Sequence, residues 1–450
     1  MALSNNTLRQ IIRVSIGSDT LRIKFSNYTF NEAITLNKVT IAVSPNAAKS
    51  AITTSTLKEL QFDGKPNVII NAKGEVYSDP VGFDLQPGML LAITTYYGQC
   101  KSSPNMTFHY GSRTNSYIVT GDKTTAADFT GASVKESWYT ISAVDVLAPK
   151  TAAAVAVIGN SITDGYGVHD GPPNKWTDFF SQKLLANDAT KQVGVLNLGI
   201  GATLVTGAAN GAASGVDRFE HDILEQAGVK WVVIFYGVND IGSNVSATNI
   251  INGLKKMVSA TRAKDATIKI YGATITPFNG NNYYSAAHEQ TRKDVNSWIR
   301  TDKSLDGVLD FDKVLQNPSD PSRLQQQYNN DGLHPSAAGY KALGESIDPE
   351  LFKPPVVAVK SPAMAIVPSA VSSMCITSGK AIVAFTLPTA DCVTLKVSTL
   401  AGKVVATIDK KTMSAGPQSI TLDSRTWSKG TYVYSVTADG FTAQGNVIVQ

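Results

Sequence analysis

The sequence predicts a three-layer α/β/α domain with a five-stranded parallel sheet, preceded by one β-sandwich and followed by a smaller, Ig-like one. Three observations predict it. Over 1–148, short runs alternate apolar and polar residues at period two, with no helical stripe of useful length. From Ala152 onward, continuous apolar runs of the kind buried on both faces alternate with stripes of helical period. After Pro354, Pro355, Pro362 and Pro368, period-two alternation returns and continues to the C-terminus. At roughly 150 residues per domain, the 450 residues suit several cores rather than one.

In the first region, Leu21-Arg22-Ile23-Lys24-Phe25 and Val39-Thr40-Ile41-Ala42-Val43 read as strands, as do 68–71 and 90–95. Ser44-Pro45-Asn46, Asp63-Gly64-Lys65-Pro66 and Gln86-Pro87-Gly88 supply the turns between them. An antiparallel, jelly-roll-like sandwich over 1–148 is the expectation. Over 149–353, Val155-Ala156-Val157-Ile158 opens the parallel sheet. Runs at 193–198, 231–235, 268–273 and 308–311 continue it. Between them, Trp176, Phe179, Phe180, Leu184 and Leu185 fall on one helical face. Ser246 is placed to cap a helix carrying Ile250, Leu254, Met257 and Val258. Val295, Trp298 and Ile299 mark another helix, and 337–347 the closing one. The prolines make 354–370 a stiff linker. Six runs over 371–450 predict the Ig-like module.

Composition narrows the function classes. Hydrophobic residues at 43% and charged ones at 17% exclude a mostly disordered chain. No apolar run approaches the ~20 residues that cross a bilayer as a helix. The net charge of +4, from 40 basic and 36 acidic residues, comes without a Lys/Arg cluster, so nucleic acid is not an expected partner. Cys100, Cys375 and Cys392 are too few for a disulfide framework, although Cys375 and Cys392 are candidates to pair. His109, His169, His221 and His288 match no metal spacing and read as surface or structural residues.

The informative residues lie after the sheet strands, where chemistry concentrates in open α/β folds. Gly159-Asn160-Ser161 follows the first strand and sets a hydroxyl among small residues. The second gives Asn197-Leu198-Gly199-Ile200-Gly201-Ala202-Thr203, a tight turn whose N–H groups can point outward. Beyond the third lies Gly237-Val238-Asn239-Asp240, and beyond the fifth Asp331-Gly332-Leu333-His334-Pro335. A serine hydroxyl is weakly nucleophilic at its own pKa and needs a base, and imidazole titrates near neutrality. Asp331 can fix the tautomer of His334. The Ser161 N–H, an N–H of Gly201 or Ala202, and the Asn239 amide can receive an oxyanion. That is the set of parts for acyl transfer without metal or organic cofactor. Taken alone, Ser161 also reads as a helix cap. Asp164 and Asp240 sit in tight turns and are expected to brace the backbone. Tyr96, Tyr97, Tyr110 and Trp138 form either a sugar-stacking platform or core. Arg113 and Asn115 either reach the site or line a domain interface.

These four ordered blocks resemble the SGNH (GDSL-type) hydrolases, over about 149–353. The resemblance implies the flavodoxin-like SGNH fold and a catalytic triad of Ser161 as nucleophile, His334 as base and Asp331 as orienter. It also implies Asn239 as an oxyanion donor. Stretches 111–117 and 271–278 resemble a subgroup of secreted bacterial and fungal esterases in which a β-domain precedes the hydrolase domain. Two positions depart from the pattern: Asn160 stands where the family has Asp, and Ala202 where it has the oxyanion glycine. Downstream, Ser398-Thr399-Leu400-Ala401-Gly402-Lys403-Val404 and Gly430-Thr431-Tyr432-Val433-Tyr434 resemble the sorting domains of the type IX secretion system. This implies export from a Gram-negative cell and contact with secretion machinery. Met1-Ala2-Leu3-Ser4-Asn5-Asn6 has no leader character and taken literally reads as cytoplasmic. The sorting resemblance favours a secreted or cell-surface protein whose signal peptide is absent from these residues.

The expected function is a secreted serine esterase that deacetylates a plant cell-wall polysaccharide such as acetylated xylan. The acetyl group and the polysaccharide come from the subgroup resemblance and the exported architecture. The alternatives are a lipid-directed esterase or lysophospholipase, against which stands the lack of a long apolar lid segment, and a non-catalytic carbohydrate-binding surface protein.

Overall fold

The computed structural model describes residues 3–100, 106–169, 174–209, 211–354, 373–377, 379–387, 389–399, 403–438 and 441–449. The chain divides into two compact units, Met1–Pro355 and Val356–Gln450.

In the first unit, an antiparallel sheet runs in the order Ser133–Lys135, Ser116–Thr120, Asn6–Arg13, Leu90–Tyr97, Ile34–Val43, Thr53–Glu59, with Val68–Ile70 also paired to Ile34–Val43. A second sheet centres on Ser18–Ser26, flanked by Ile141–Val146 and Glu75–Tyr77, with Val81–Leu85 also paired to it. Leu8, Leu36, Val39, Ile41 and Ile93 of the first sheet share a core with Leu21, Ile23 and Phe25 of the second. The strand Asn6–Arg13 was not among those expected. Its side chains Thr7, Arg9 and Gln10 are buried although polar, so hydrophobic alternation does not reveal it. The Arg9 guanidinium is satisfied by Thr94 Oγ1 at 2.9 Å and by the carbonyls of Ser50 and Ala126.

The same unit contains a five-stranded parallel sheet in the order Val193–Gly199, Ala153–Gly159, Val229–Phe235, Lys269–Ala273, Gly307–Leu309. Ala153–Gly159 is buried along its whole length, as its apolar run requires. Helices Trp176–Leu185 and Ala337–Ser346 pair on this sheet, as do Ala247–Lys264 and Ala286–Thr301. The fifth strand needs correction. It was expected over 308–311, but it ends at Leu309, because Asp310 caps a short helix, Phe311–Leu315, and also receives Arg300. A helix over Gly215–Phe219, continued by a π-turn at Glu220–Leu224, was not anticipated. Among the described residues no helix is long and apolar enough to cross a membrane.

Polar contacts tie the β-sheets of this unit to its α/β part. The Val195 N–H donates to Ser15 Oγ at 3.0 Å. His221 stacks on Tyr28 with ring centres 3.9 Å apart, and its Nε2 lies 3.3 Å from Glu75.

The second unit is two antiparallel sheets. One comprises Ser373–Thr377, Lys380–Leu387 and Gly416–Asp423; the other comprises Val404–Met413, Asp391–Thr399, Gly430–Ala438 and Phe441–Val449. Val383, Phe385, Val393, Leu395, Val397, Tyr432 and Val436 fill the space between them. Cys375 and Cys392 lie in different sheets and both are free thiols, so the pairing considered for them is not formed. The proline linker expected over 354–370 lies, from 355 on, outside the described residues.

Candidate active site

The strand Ala153–Gly159 delivers Ser161 to the carboxyl edge of the parallel sheet. At Gly159 a Cβ would fall 2.2 Å from Thr163 Oγ1 and 2.8 Å from the Phe235 carbonyl, so the chain leaves the sheet where no side chain fits. Asn160 then caps a single helical turn, Ser161–Asp164, its Oδ1 accepting from the Ile162 N–H. Gly165, at φ 96°, ends that turn. Capping needs an oxygen rather than a charge, so Asn160 fills the place of an aspartate here.

The Ser161 hydroxyl lies 2.8 Å from His334 Nε2. His334 Nδ1 lies 2.8 Å from Asp331 Oδ2. The other carboxylate oxygen of Asp331 accepts the backbone N–H groups of Leu333 and His334, at 3.1 and 2.8 Å. One carboxylate therefore folds its own loop and orients the ring that loop carries. A proton on Nδ1, facing Asp331, leaves Nε2 as the acceptor for the serine hydroxyl. Burial pushes the imidazole below its ordinary pKa, against the pull of Asp331. Burial works the other way on Asp331, but hydrogen bonds from the His334 backbone and ring hold its carboxyl below the usual range. At neutral pH the pair is thus a neutral base beside a carboxylate.

The other expected groups come to the same edge. A Cβ on Gly201 would lie 4.0 Å from Ser161 Cβ, which sets the 200–203 turn directly against the serine. Ala202 has φ +63°, in the left-handed region that disfavours a side chain. Neighbouring bonds hold it there. Asn239 Nδ2 donates to the Thr203 carbonyl at 3.0 Å, and both oxygens of Asp240 lie 3.0 Å from the Val205 N–H. Among the described residues, the hydrogen bonds use neither the N–H of Ser161 nor those of Gly201 and Ala202. The Asn239 amide spends one of its two N–H groups on Thr203. Asp240, fully buried, is pushed up by desolvation to a pKa of about 6, although backbone N–H groups of Val205 and Thr206 oppose the shift. It braces the backbone, as expected of it.

Residues 157–342 match the GDSL-like lipase/acylhydrolase family. This region is a GDSL-like lipase/acylhydrolase domain. Residues 377–450 match the secretion system C-terminal sorting domain, which marks a secreted or cell-surface protein. Solved structures similar to the chain include a G-D-S-L family protein from Desulfitobacterium hafniense DCB-2, at 25% identity and TM-score 0.34, covering 43% of this chain and 97% of that one. They also include a mutant of Axe2, an acetyl-xylooligosaccharide esterase from Geobacillus Stearmophilus, at 21% identity and TM-score 0.34, over 44% and 94% of the two chains. The psychrotrophic esterase EstA from Pseudoalteromonas sp. is similar at 18% identity and TM-score 0.34, over 43% and 93%. No curated protein matches the chain. The family match places the domain among ester and acyl hydrolases.

Around the GDSL domain's serine lie residues that the sequence left open or passed over. Asp164 is braced from the N-terminal β region by Arg113, with Nη2 at 2.6 Å and Nε at 3.2 Å, and by His109 Nε2 at 2.8 Å. Burial would raise this carboxyl, but His109, Arg113 and Lys175 outweigh it and hold it below the usual range. The two readings of Arg113 turn out to be compatible. It spans the junction, and its guanidinium also lies 5.2 Å from the centre of the Tyr166 ring. That ring in turn lies 4.2 Å from the His334 imidazole. Tyr166 was not singled out, although it follows the serine block by only five residues. The four aromatic residues considered as a platform do not form one. Tyr97 is buried in the core with its hydroxyl on Thr140, while Tyr110 is 80% exposed. Tyr110 pairs with Ser137 and Trp138 with His109, which sets Tyr110 and Trp138 on opposite faces of their ribbon. Among the described residues no group of three or more His, Cys, Asp or Glu side chains could hold a metal ion.

Proposed function

We propose that the GDSL domain is a serine esterase that removes short acyl groups, acetyl foremost, from a plant cell-wall polysaccharide such as acetylated xylan. The observation that carries the esterase reading is the hydrogen-bonded series from Ser161 through His334 to Asp331 at the sheet edge. Ser161 Oγ attacks the ester carbonyl while its proton passes to His334 Nε2, and Asp331 stabilises the imidazolium. The oxyanion of the tetrahedral intermediate meets the Ser161 N–H, an N–H of the Gly201–Ala202 turn and the remaining N–H of Asn239. Collapse breaks the C–O bond to the sugar, whose oxygen takes the proton from His334. Water then enters, gives a proton to His334, and releases the acid from the acyl-enzyme.

Two features support a short acyl chain on a polar substrate. Polar and charged groups lie about the histidine: Asp331 bonds its ring, and the Tyr166 ring against it has the Arg113 guanidinium on it. The sorting domain supports a secreted or cell-surface protein, and a polymeric carbohydrate is a substrate met outside the cell. The test is acetate release from acetylated xylan, run beside p-nitrophenyl acetate and octanoate, with Ser161→Ala as control. Release from xylan and from the acetate ester, lost in the variant, is the expected result. Preference for octanoate with xylan untouched would make the substrate a lipid ester. No turnover on any substrate would favour a carbohydrate-binding protein.

A further inference from the structure

We infer that Arg113, contributed by the N-terminal β region, is a positioning residue for the ester hydrolysis, setting the His334 imidazole through the ring of Tyr166. The inference rests on the esterase reading of Ser161 and His334.

The local chain is built around this guanidinium. Arg113 has φ +58°, left-handed backbone that a non-glycine residue adopts only when its surroundings force it. Gly111, at φ +73°, leaves the space: a Cβ there would fall 2.9 Å from the guanidinium. The Gly111 and Ser112 N–H groups both donate to the Glu136 carbonyl, and Lys175 Nζ donates to the Ser112 carbonyl at 3.2 Å. So both sides of the junction grip the loop that carries Arg113.

From there contacts lead to the imidazole. The guanidinium fork takes one oxygen of Asp164, three residues beyond Ser161 on the same helical turn. It also lies beside the Tyr166 ring, whose backbone is fixed at both ends. The Tyr166 N–H donates to the Ser161 carbonyl at 2.9 Å, and its own carbonyl accepts the buried Tyr340 hydroxyl at 2.8 Å. The ring then rests against His334, inclined by 35°. Removing the guanidinium frees the ring to move and leaves Asp164 buried with less opposing charge. The charged and titratable groups around His334 are Asp331 from its own loop and Arg113 from the β region, with Asp164 and the Tyr340 hydroxyl next to Arg113. Arg113 is the cation that acts on His334, disfavouring the imidazolium, while His109 and Lys175 act on Asp164.

The experiment is the pH dependence of p-nitrophenyl acetate hydrolysis by the full chain carrying Arg113→Met, Arg113→Lys or His109→Gln, with thermal unfolding of each. Arg113→Met is expected to lower kcat by roughly 10- to 100-fold, as small misplacements of catalytic groups do, with a smaller change in KM. Its acid limb moves to higher pH, because removing the cation favours the protonated ring. Arg113→Lys keeps the limb, since it keeps the charge, but recovers only part of kcat, since an ammonium has no planar fork. His109→Gln loosens the same junction and keeps the limb. A folded Arg113→Met with wild-type kcat and limb would overturn the inference. So would a His109→Gln variant that reproduces both the loss and the shift, because the effect would then belong to the junction as a whole. Should Arg113→Met fail to fold, Arg113→Lys decides: lowered kcat at an unmoved limb supports the inference, and wild-type kcat overturns it. An active Ser161→Ala would remove the esterase reading itself. An inactive one beside unaffected Arg113 variants would remove only this inference.

Discussion

Replacing Asn239 with alanine removes one donor of the proposed oxyanion site together with its bond to the Thr203 carbonyl. The Asn239 amide is buried at 5% exposure and gives one N–H to the Thr203 carbonyl. In the proposed mechanism the other faces charge that develops only as the tetrahedral intermediate forms. Loss of such a donor typically costs about 3 kcal/mol of transition-state stabilisation. At about 1.4 kcal/mol per decade, that is a fall in kcat of about 10²-fold. KM should change little, because the ground-state carbonyl oxygen gains little from the contact. The lost bond to Thr203 costs about 1 kcal/mol of stability, seen separately as a small drop in Tm. Asn239→Asp sharpens the test: it keeps the shape but turns an acceptor toward the oxyanion, so kcat should fall at least as far as in the alanine variant. The assay is steady-state hydrolysis of p-nitrophenyl acetate at neutral pH, with Ser161→Ala giving the background. A folded Asn239→Ala with kcat within about threefold of wild type, or with the loss confined to KM, would refute the role.

Three further outcomes follow from the geometry. Because burial holds His334 below its ordinary pKa of 6.5, the acid limb of kcat/KM should lie below that pH; a limb above it would contradict the neutral-base assignment. Ala202→Gly should raise stability by up to about 1 kcal/mol: relief of left-handed strain, about 1–2 kcal/mol, outweighs the entropy glycine adds to the unfolded chain. A Tm below wild type would count against that strain. Asp240, raised from 3.8 to about 6, binds its proton more tightly in the folded state, so its contribution to stability is present at low pH and is lost as pH rises through that window. Asp240→Asn should therefore gain on wild type by up to about 3 kcal/mol between acid and neutral pH, and parallel stability curves for the two proteins would refute the shift.

The strand-end blocks were legible because tight turns of small residues leave few choices of side chain, and three of them directly follow strands of the parallel sheet. The hydroxyl, amide, carboxylate and imidazole were readable for that reason. What was not legible depends on partners far away in sequence. The strand Asn6–Arg13 hides because its buried side chains satisfy themselves across 41 to 129 residues, so polarity misreports burial. The overlong fifth strand arose because Phe311 continues an apolar run that Asp310 ends by capping a helix. Arg113 and Asp164 stand 51 residues apart in separate regions, and no period or spacing links them. The left-handed backbone of Ala202 runs against what its residue type prefers; the bonds of Thr203 to the Ile200 carbonyl, with those made by Asn239 and Asp240, hold the turn.

The brace on Asp164 also determines what can be inherited as a piece. A gene fusion cut at the start of the parallel sheet would carry away the serine's helical turn but leave behind the two side chains that answer its carboxylate. It would also strip Val195 of its hydroxyl acceptor and His221 of Tyr28 and Glu75. The segment to graft onto another exported scaffold is therefore 1–355, whereas the sorting module beyond it is a separate compact unit with a core of its own. Shuffling at the wrong seam would yield the strand-end residues in the right order on a domain missing its buttress.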